Sequence, residues 1–430
     1  MLILCTILLG GMIGGGLLWV SLRYQTFFHP LLMPLASLFV MGVFAPLAQL
    51  YFFGERKTES FQVQASLLSS LYVIGLCLPF VTRLNPCEQL VTWLLAPLER
   101  SALPAEGRRS RWFAVGLLVC WIALYLLLIC DSPLGWDWLL HSRTAYQFGR
   151  AGVGHWFVLS QAALFLGYLA WLCDRQVKSI WKIVLATLIC TGGFVLFGSK
   201  NGVVGALISG GLYYHYFVRP IPQRWLVMAG CAALPLVIIS PWLQGSFNSL
   251  KQTMRYYDYF DNTAMYLEHQ EVIGRKWGGA MLSSFWEYVP RGFYPAKPFI
   301  HGQLSINEYF WPGLTALGHT PAFLPWIVYY LDLGTLGVFL GGLVTGLIYK
   351  GVYVHFLHRR SFLSFVVLLQ VCFVPVLKFS PALYFAMFLI AVAWSHERVN
   401  VVCHKLMEKL HPKVEAEPTA PMRRGTAAAR

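Results

Sequence analysis

Apolar residues in this chain come in long runs rather than at a helical or strand period. Runs at 1–21, 29–53, 64–82, 112–130, 154–173, 181–198, 201–218, 225–242, 322–349, 362–377 and 381–396 stand out. A helix needs roughly 20 apolar residues to cross about 30 Å of hydrocarbon, and these runs approach or exceed that length. A further apolar piece, 89–98, is short for a full crossing and suits a tilted half-span or an interfacial position. The pattern predicts an all-α, polytopic integral membrane protein with 11–12 transmembrane helices and one large ordered loop, 243–321. Residues 1–396 form the membrane domain in this reading. Residues 397–430, ending "AEPTAPMRRGTAAAR", form a basic cytoplasmic tail whose small, polar composition predicts disorder. The N-terminal run lacks a charged leader and a convincing cleavage site, so it is expected to be retained as a span.

Basic residues orient the spans, because Lys and Arg accumulate on cytoplasmic loops. Segment 99–111 carries Arg100, Arg108, Arg109 and Arg111, and segment 174–182 carries Arg175, Lys178 and Lys182. Arg219 with Arg224, Lys350 with Arg359 and Arg360, and the tail after Arg398 follow. Placing all of these inside gives a consistent alternation from Arg111 onward. Segment 131–153, the tight turn near Lys200 and the loop 243–321 then lie outside. "GERKTES" (54–60) sits inside only if 84–98 crosses. The expectation taken forward is that twelve-span version, with both termini inside.

Composition agrees with this class. Of 430 residues, 57% are hydrophobic and 12% charged, which is too apolar for a soluble domain. The formal charge of +14 is accounted for by cytoplasmic loops and the tail, and no nucleic-acid motif is visible. The ten cysteines are scattered without CxxC or metal-ligand spacing, and the long loop has none. No GxSxG, HExxH or Walker A sequence occurs, and His301 and His319 lack metal spacing. No metal and no cofactor are expected.

Candidate chemistry concentrates in the long loop, whose aromatics include Tyr256, Tyr257, Tyr259, Trp277, Trp286, Tyr288 and Tyr294. Aromatic rings serve as sugar platforms and also sit well at a membrane interface. Among its cations, Lys251, Arg255, Arg275 and Lys276 belong to a mixed-charge stretch. "VPRGFYPAKP" differs: Pro290, Pro295 and Pro298 fix φ and bar regular helix around Arg291 and Lys297. Rigidly framed cations at a membrane surface suit a phosphate group. "FGSKNGVVGALISGG" places Lys200 between two apolar runs, with Gly198 and Gly202 for a tight turn and Ser199 as cap of the next helix. Lys200 and that helix N-terminus together suit an anion. Lys378 in "VPVLKFSPALY" and Arg150 in "SRTAYQFGRAGVGHW" fall on the same outer leaflet. Each of these has a plainer reading as a cation snorkelling to bulk lipid phosphate.

These segments carry a family likeness. "GSKNG", closing one span and opening the next, resembles the Gly-Ser/Thr-Arg turn of bacterial oligosaccharide repeat-unit polymerases, the O-antigen polymerase group. "VPRGFYPAKP" is similar to that family's Pro-Arg…Pro-x-Lys/Arg-Pro segment in its large periplasmic loop. "GHTPAFLPWIVYYLDLGTLGVFLGGLVTGLIYKGVY" resembles the family's next span, and "SRTAYQFGRAGVG" its first periplasmic loop. The likeness covers roughly residues 130–395 in order. One departure is Lys200 where the family usually has Arg, which keeps the charge but not the bidentate fork.

The resemblance implies a membrane glycosyltransferase of the lipid-linked-donor class, in the bacterial inner membrane with its site facing the periplasm. Undecaprenyl-diphosphate-linked glycans would be donor and acceptor, with membrane lipids and a chain-length regulator protein as further partners. Charge develops on the departing diphosphate, so cations belong there. Lys200, Arg291, Lys297, Lys378, Arg150 and Arg255 are the candidates. Glu287, then His319, are candidates for the base at the attacking hydroxyl. An O-antigen ligase shares this architecture. A flippase is the other alternative, but its cations are expected along a cavity at mid-depth rather than at one face.

Overall fold

The computed structural model describes residues 1–372, except 27, 53–58, 83–85, 102–107, 143–144, 147–151, 173–176, 226–227, 229–258, 290–293, 314 and 316–322. Every regular element among them is helical. The chain runs through α1 (Leu2–Tyr24), then α2 (Leu32–Phe39), which passes through a π-helical stretch, Val40–Phe44, into α3 (Ala45–Phe52). There follow α4 (Glu59–Val81), α5 (Pro86–Ser101), α6 (Arg108–Asp131), the single turn α7 (Asp137–Leu140) and α8 (Gly154–Leu172). Next are α9 (Ile180–Leu196) and α10 (Lys200–Tyr213), the latter ending in a π-helical turn, Tyr214–Val218. The loop holds α11 (Tyr259–Glu268), α12 (Gln270–Ile273), α13 (Gly279–Ser283), a 3₁₀ turn Ser284–Tyr288, and α14 (Leu304–Phe310). The long α15 (Ile327–Arg359) and α16 (Phe362–Cys372) close the described chain.

Five of these helices are long and apolar enough to cross a membrane: α1, α4, α6 from Trp112, α8 and α15. Their outward faces are apolar too. On α1, Ile3, Leu4, Ile7, Leu8, Leu18 and Leu22 are exposed while Leu2, Leu9, Ile13 and Val20 are buried. A helix apolar on every side has no water-facing surface, so hydrocarbon is the solvent that satisfies it. This is a helical membrane protein.

At the centre, α4 and α15 cross with their backbones in near contact. A Cβ on Gly75 would lie 2.5 Å from the Phe339 carbonyl oxygen, and one on Gly342 would lie 2.6 Å from that of Tyr72. Small residues permit this approach, and in hydrocarbon close packing is what holds helices together. Gly342→Leu is therefore expected to destroy the crossing, since the obstructing atoms are backbone and cannot swing away. Gly116→Leu is the control, because nothing lies within 4 Å of a Cβ there. Size-exclusion profiles of fluorescent fusions should show aggregation for the first and a wild-type peak for the second. A monodisperse Gly342→Leu protein would mean that the crossing is not needed.

Contacts at the two ends fix which termini share a side. Gln62, in the first turn of α4, donates to Asp261 of the loop helix α11 at 2.8 Å. Met1 pairs with Glu59 at 3.3 Å. The N-terminus, Glu59 and the loop thus share one end of the bundle. At the other end, Arg23 donates to the Val81 carbonyl at 2.9 Å. Thr26 Oγ1 lies 3.0 Å from His215 Nε2, and the Tyr216 and Tyr353 hydroxyls are 3.0 Å apart. The expected twelve-span version needs residues 54–60 opposite the loop, and the structure corrects it. Helix α5 does not return to the loop end. It packs on the last turns of α15, with Thr92 Oγ1 3.1 Å from His355 Nδ1 and Glu88 3.1 Å from His358. The short run at 89–98 is an end-lying helix, and the N-terminus lies at the loop end of the bundle. Of the spans read from sequence, 225–242 and 381–396 lie outside the described residues.

Lys350 is a second correction. Its position between an apolar run and Arg359 reads as a solvent-side cation, yet it is 3% exposed. Its Nζ donates to the carbonyls of Pro79 at 2.7 Å and Thr82 at 2.9 Å. With Arg23 on Val81, two cations satisfy the orphan carbonyls at the C-terminal end of α4, where the helix dipole is negative.

Candidate functional site

The loop is seated on the bundle through its own hydrophobic face. Phe260, Ala264 and Leu267 of α11 are buried, and Thr263 Oγ1 accepts from the Leu324 amide at 2.9 Å. Beyond Leu324 the chain dips. Trp326 Nε1 donates to Ser69 Oγ at 2.9 Å, ten residues into α4 and so roughly 15 Å below its start at 1.5 Å per residue. It then climbs: the Tyr330 hydroxyl accepts from Gln64 Nε2 at 3.4 Å. At Gly334 it reverses, and from there Gly342 descends against Tyr72. Residues 327–333 and 335–359 are the two arms of a re-entrant hairpin. The span expected over 322–349 is present, with 335–359 as its long arm, and its first seven helical residues fold back at Gly334. The Tyr329 ring packs against Gly341 of the returning arm, which only a side-chain-free position allows.

The hairpin tip is built from residues that are otherwise costly in a span. Gly334 has φ 64° and ψ −148°, a region essentially restricted to glycine. Asp332 is fully buried, and its two carboxylate oxygens accept from the amides of Ala280 at 2.9 Å and Met281 at 2.8 Å. Lys276 donates its amide to the Leu331 carbonyl at 3.0 Å. Three bonds thus clamp loop residues 276–281 to the tip. The Arg275 guanidinium lies over Gly334, with Nη2 2.9 Å from where a Cβ would stand. Tyr266 and Tyr330 pack edge to face with ring centroids 6.1 Å apart, and the Tyr330 hydroxyl donates to Gln270 Oε1. Burial first, and then Tyr330 and Asp332, push the Tyr266 phenol above its ordinary range, with Arg275 opposing them. Tyr266 is therefore a neutral donor here, not a base.

The residues singled out from sequence fall as follows. The turn before Lys200 forms as expected, with Gly198 at φ 66° and Ser199 Oγ accepting from the Gly202 amide at 3.2 Å. It lies at the loop end of the bundle. Lys200 opens α10, and its side chain lies outside the described residues. The Glu287 backbone belongs to the 3₁₀ turn, and its side chain likewise lies outside. Arg150, Arg255, Arg291, His319 and Lys378 also lie outside the described residues. Lys297 is described and half-buried, in a turn whose amide donates to the Tyr294 carbonyl at 3.1 Å. Tyr294 stacks on Trp286 at 5.3 Å, and residues 294–301 are non-helical, as the prolines dictate. The Gly302 amide ties this stretch to Ser283 Oγ at 2.9 Å, and so to the clamp at Asp332.

A cleft of about 180 Å³ elsewhere, between α6, α8 and α9, is lined by Leu118, Leu164, Trp171, Leu185 and Ile189. Tyr168, Cys190 and Lys182 complete its otherwise apolar lining. In comparison with known proteins, the chain matches no family model, no curated protein and no solved structure.

Proposed function

We propose that this protein is a membrane glycosyltransferase that joins undecaprenyl-diphosphate-linked oligosaccharide repeat units into a surface polysaccharide, O-antigen or a related polymer, at the periplasmic face of the inner membrane. The observation that carries the reading is a coincidence of place. The Ser199-capped turn at Lys200 and the ordered loop bearing Lys297 lie at one end of the bundle. These are the segments that resemble the polymerase family. Arg359 and Arg360 lie at the opposite end, which supports a periplasmic loop through the positive-inside rule.

In the proposed reaction a hydroxyl at the non-reducing end of the incoming unit attacks the anomeric carbon of the growing chain. A new C–O bond forms, the bond to the diphosphate oxygen breaks, and the lipid diphosphate departs with the electron pair. The hydroxyl proton goes to Glu287 or His319, or to solvent beside them. Cations at the departing group, Lys200, Arg291 and Lys297 foremost, stabilise its growing charge. A diphosphate is a good leaving group, so positioning and charge stabilisation carry most of the catalysis.

The test is reconstitution. Purified protein with synthetic lipid-linked repeat units should yield a ladder of polymers on the lipid diphosphate. Transfer only to lipid A–core would make it a ligase, and movement across vesicles without bond formation would make it a flippase. A cysteine at Ser283 should be labelled by an impermeant reagent from the periplasmic side, and labelling only from the cytosol would reverse the orientation.

At the Lys200 position, Lys200→Ala is expected to abolish polymer while Lys200→Arg keeps substantial activity, since only charge is needed beside the capped helix start. Long chains from Lys200→Ala would return Lys200 to a lipid anchor.

A further inference from the structure

We infer that Arg275, with Lys276 beside it, binds the diphosphate of a polyprenyl-linked substrate at the tip of the re-entrant hairpin. The inference rests on the glycosyltransferase reading for the identity of the ligand, and on geometry for the site. Arg275 lies flat on Gly334: a Cβ there would stand 2.9 Å from Nη2, 3.1 Å from Cζ and 3.4 Å from Nε. The residue beneath must be glycine for backbone reasons, and its bare Cα is what gives the guanidinium its seat. The next residue is bonded to the tip through the Lys276 amide, and Asp332 holds the chain four and five residues further on. The cation is thus held by backbone it does not itself bond.

Its donors are available. Among the described residues the Arg275 guanidinium makes no hydrogen bond and no ion pair, and both Arg275 and Lys276 are exposed. Asp332, the carboxylate at the hairpin tip, is fully buried and already accepts two amides. A planar fork with five donors matches phosphate oxygens, and a second cation next in the chain matches a group carrying more than one negative charge. Depth agrees as well. Tyr330, four residues before the tip, reaches Gln64, five residues or roughly 8 Å along α4 from Glu59, where charged residues end and the apolar span begins. The tip is thus near the end of the apolar span, where the charged residues of this end of the bundle begin.

Trp277 follows, three-quarters exposed and at φ 49°, a left-handed conformation that a tryptophan adopts only where its surroundings impose it. The sequence Arg275-Lys276-Trp277 so presents two cations and an aromatic face together. A diphosphate bonded to a sugar offers partners for both.

The experiment titrates purified full-length protein in nanodiscs with farnesyl diphosphate, farnesol, inorganic diphosphate and phosphatidylglycerol, by thermophoresis. Wild type should prefer farnesyl diphosphate to the other three. Arg275→Gln should weaken that binding by about tenfold or more, and Arg275→Lys by less, because the fork is lost but the charge remains. The melting curve of Arg275→Gln should match wild type, which a merely structural role would not allow. Should Arg275→Gln fail to fold, Lys276→Gln is read in its place against the same tenfold threshold. Farnesyl diphosphate bound equally by wild type and the variant overturns the Arg275 site and leaves the glycosyltransferase reading standing. No binding of farnesyl diphosphate to wild type overturns both. Equal affinity for phosphatidylglycerol makes the pair a general lipid anchor and also overturns the site, and preference for inorganic diphosphate removes the lipid from it.

Discussion

Asp332→Ala is expected to release residues 276–302 of the loop from the hairpin tip and, on the proposed function, to abolish polymerisation while the spanning helices remain inserted. The carboxylate is fully buried and accepts the amides of Ala280 at 2.9 Å and Met281 at 2.8 Å. Hydrogen bonds to a charged acceptor contribute about 1.5–3 kcal/mol each, and their loss leaves two donors buried without partners. Roughly 3–5 kcal/mol is at stake. Asp332→Asn keeps one acceptor oxygen but turns its amide NH2, a donor, toward the second N–H, so it should fall between wild type and alanine. Limited proteolysis reads the result: Asp332→Ala should be cut between residues 259 and 313 under conditions in which wild type resists. Full proteolytic resistance together with normal polymer length in Asp332→Ala would show that the clamp holds nothing.

Much of the helical architecture was legible because hydropathy reports hydrocarbon thickness directly. Runs at 64–82, 154–173 and 181–198 became Glu59–Val81, Gly154–Leu172 and Ile180–Leu196. The turn at Gly198–Ser199 was legible for a different reason: only a few residue types make a tight reversal and a cap, and they stand there in order. What failed has one physical source. Hydropathy measures how apolar a stretch is and not which way it runs, so the 28 residues from 322 to 349 passed as one crossing when they contain a reversal. The signal was present in "YYLDLG". A lone acid inside an apolar run is costly unless it has dedicated partners, and Asp332 has two amides brought to it by a segment some fifty residues earlier in the chain. Gly334 gave no warning, since the same run holds several glycines that serve helix packing instead.

Sidedness of the first hundred residues was illegible for an electrostatic reason. "GERKTES" mixes two cations with two acids, so its charge votes weakly, and α5 carries apolar residues without being a span. Lys350 voted correctly for its end of the bundle, though by capping α4 rather than by meeting solvent. Of the site segments read from sequence, the Ser199-capped turn and the stretch around Lys297 fall at the loop end of the bundle. Their scaffold, the re-entrant tip with Arg275 and Asp332, was not legible, because it depends on contacts between segments far apart in sequence.

On the proposed polymerase function, Arg291→Ala should give lipopolysaccharide capped by a single repeat unit at normal protein levels. Pro290 and Pro295 fix φ on either side of Arg291 in the sequence, which limits the backbone conformations from which the cation can project. The same stretch continues through Lys297 to Gly302, which is fastened to Ser283 of the clamped segment. A cation so held loses little entropy when it grips a departing diphosphate, and each charge-assisted bond to that group contributes about 1.5–3 kcal/mol. If the bond is made mainly as the charge develops, its loss slows the step by about one to two decades. Arg291→Lys should recover only part, because a point charge replaces a planar fork. Lys297→Ala should fall in the same direction with a smaller effect. The assay that decides is polymerisation by purified protein with defined lipid-linked units, measured as the rate of ladder growth at saturating acceptor. Wild-type rates from both Arg291→Ala and Lys297→Ala would falsify the assignment. A protein that no longer folds with Arg291→Ala, but folds and is slow with Arg291→Gln, would still place the charge at the leaving group, because glutamine keeps a polar, hydrogen-bonding side chain in the loop while removing the cation.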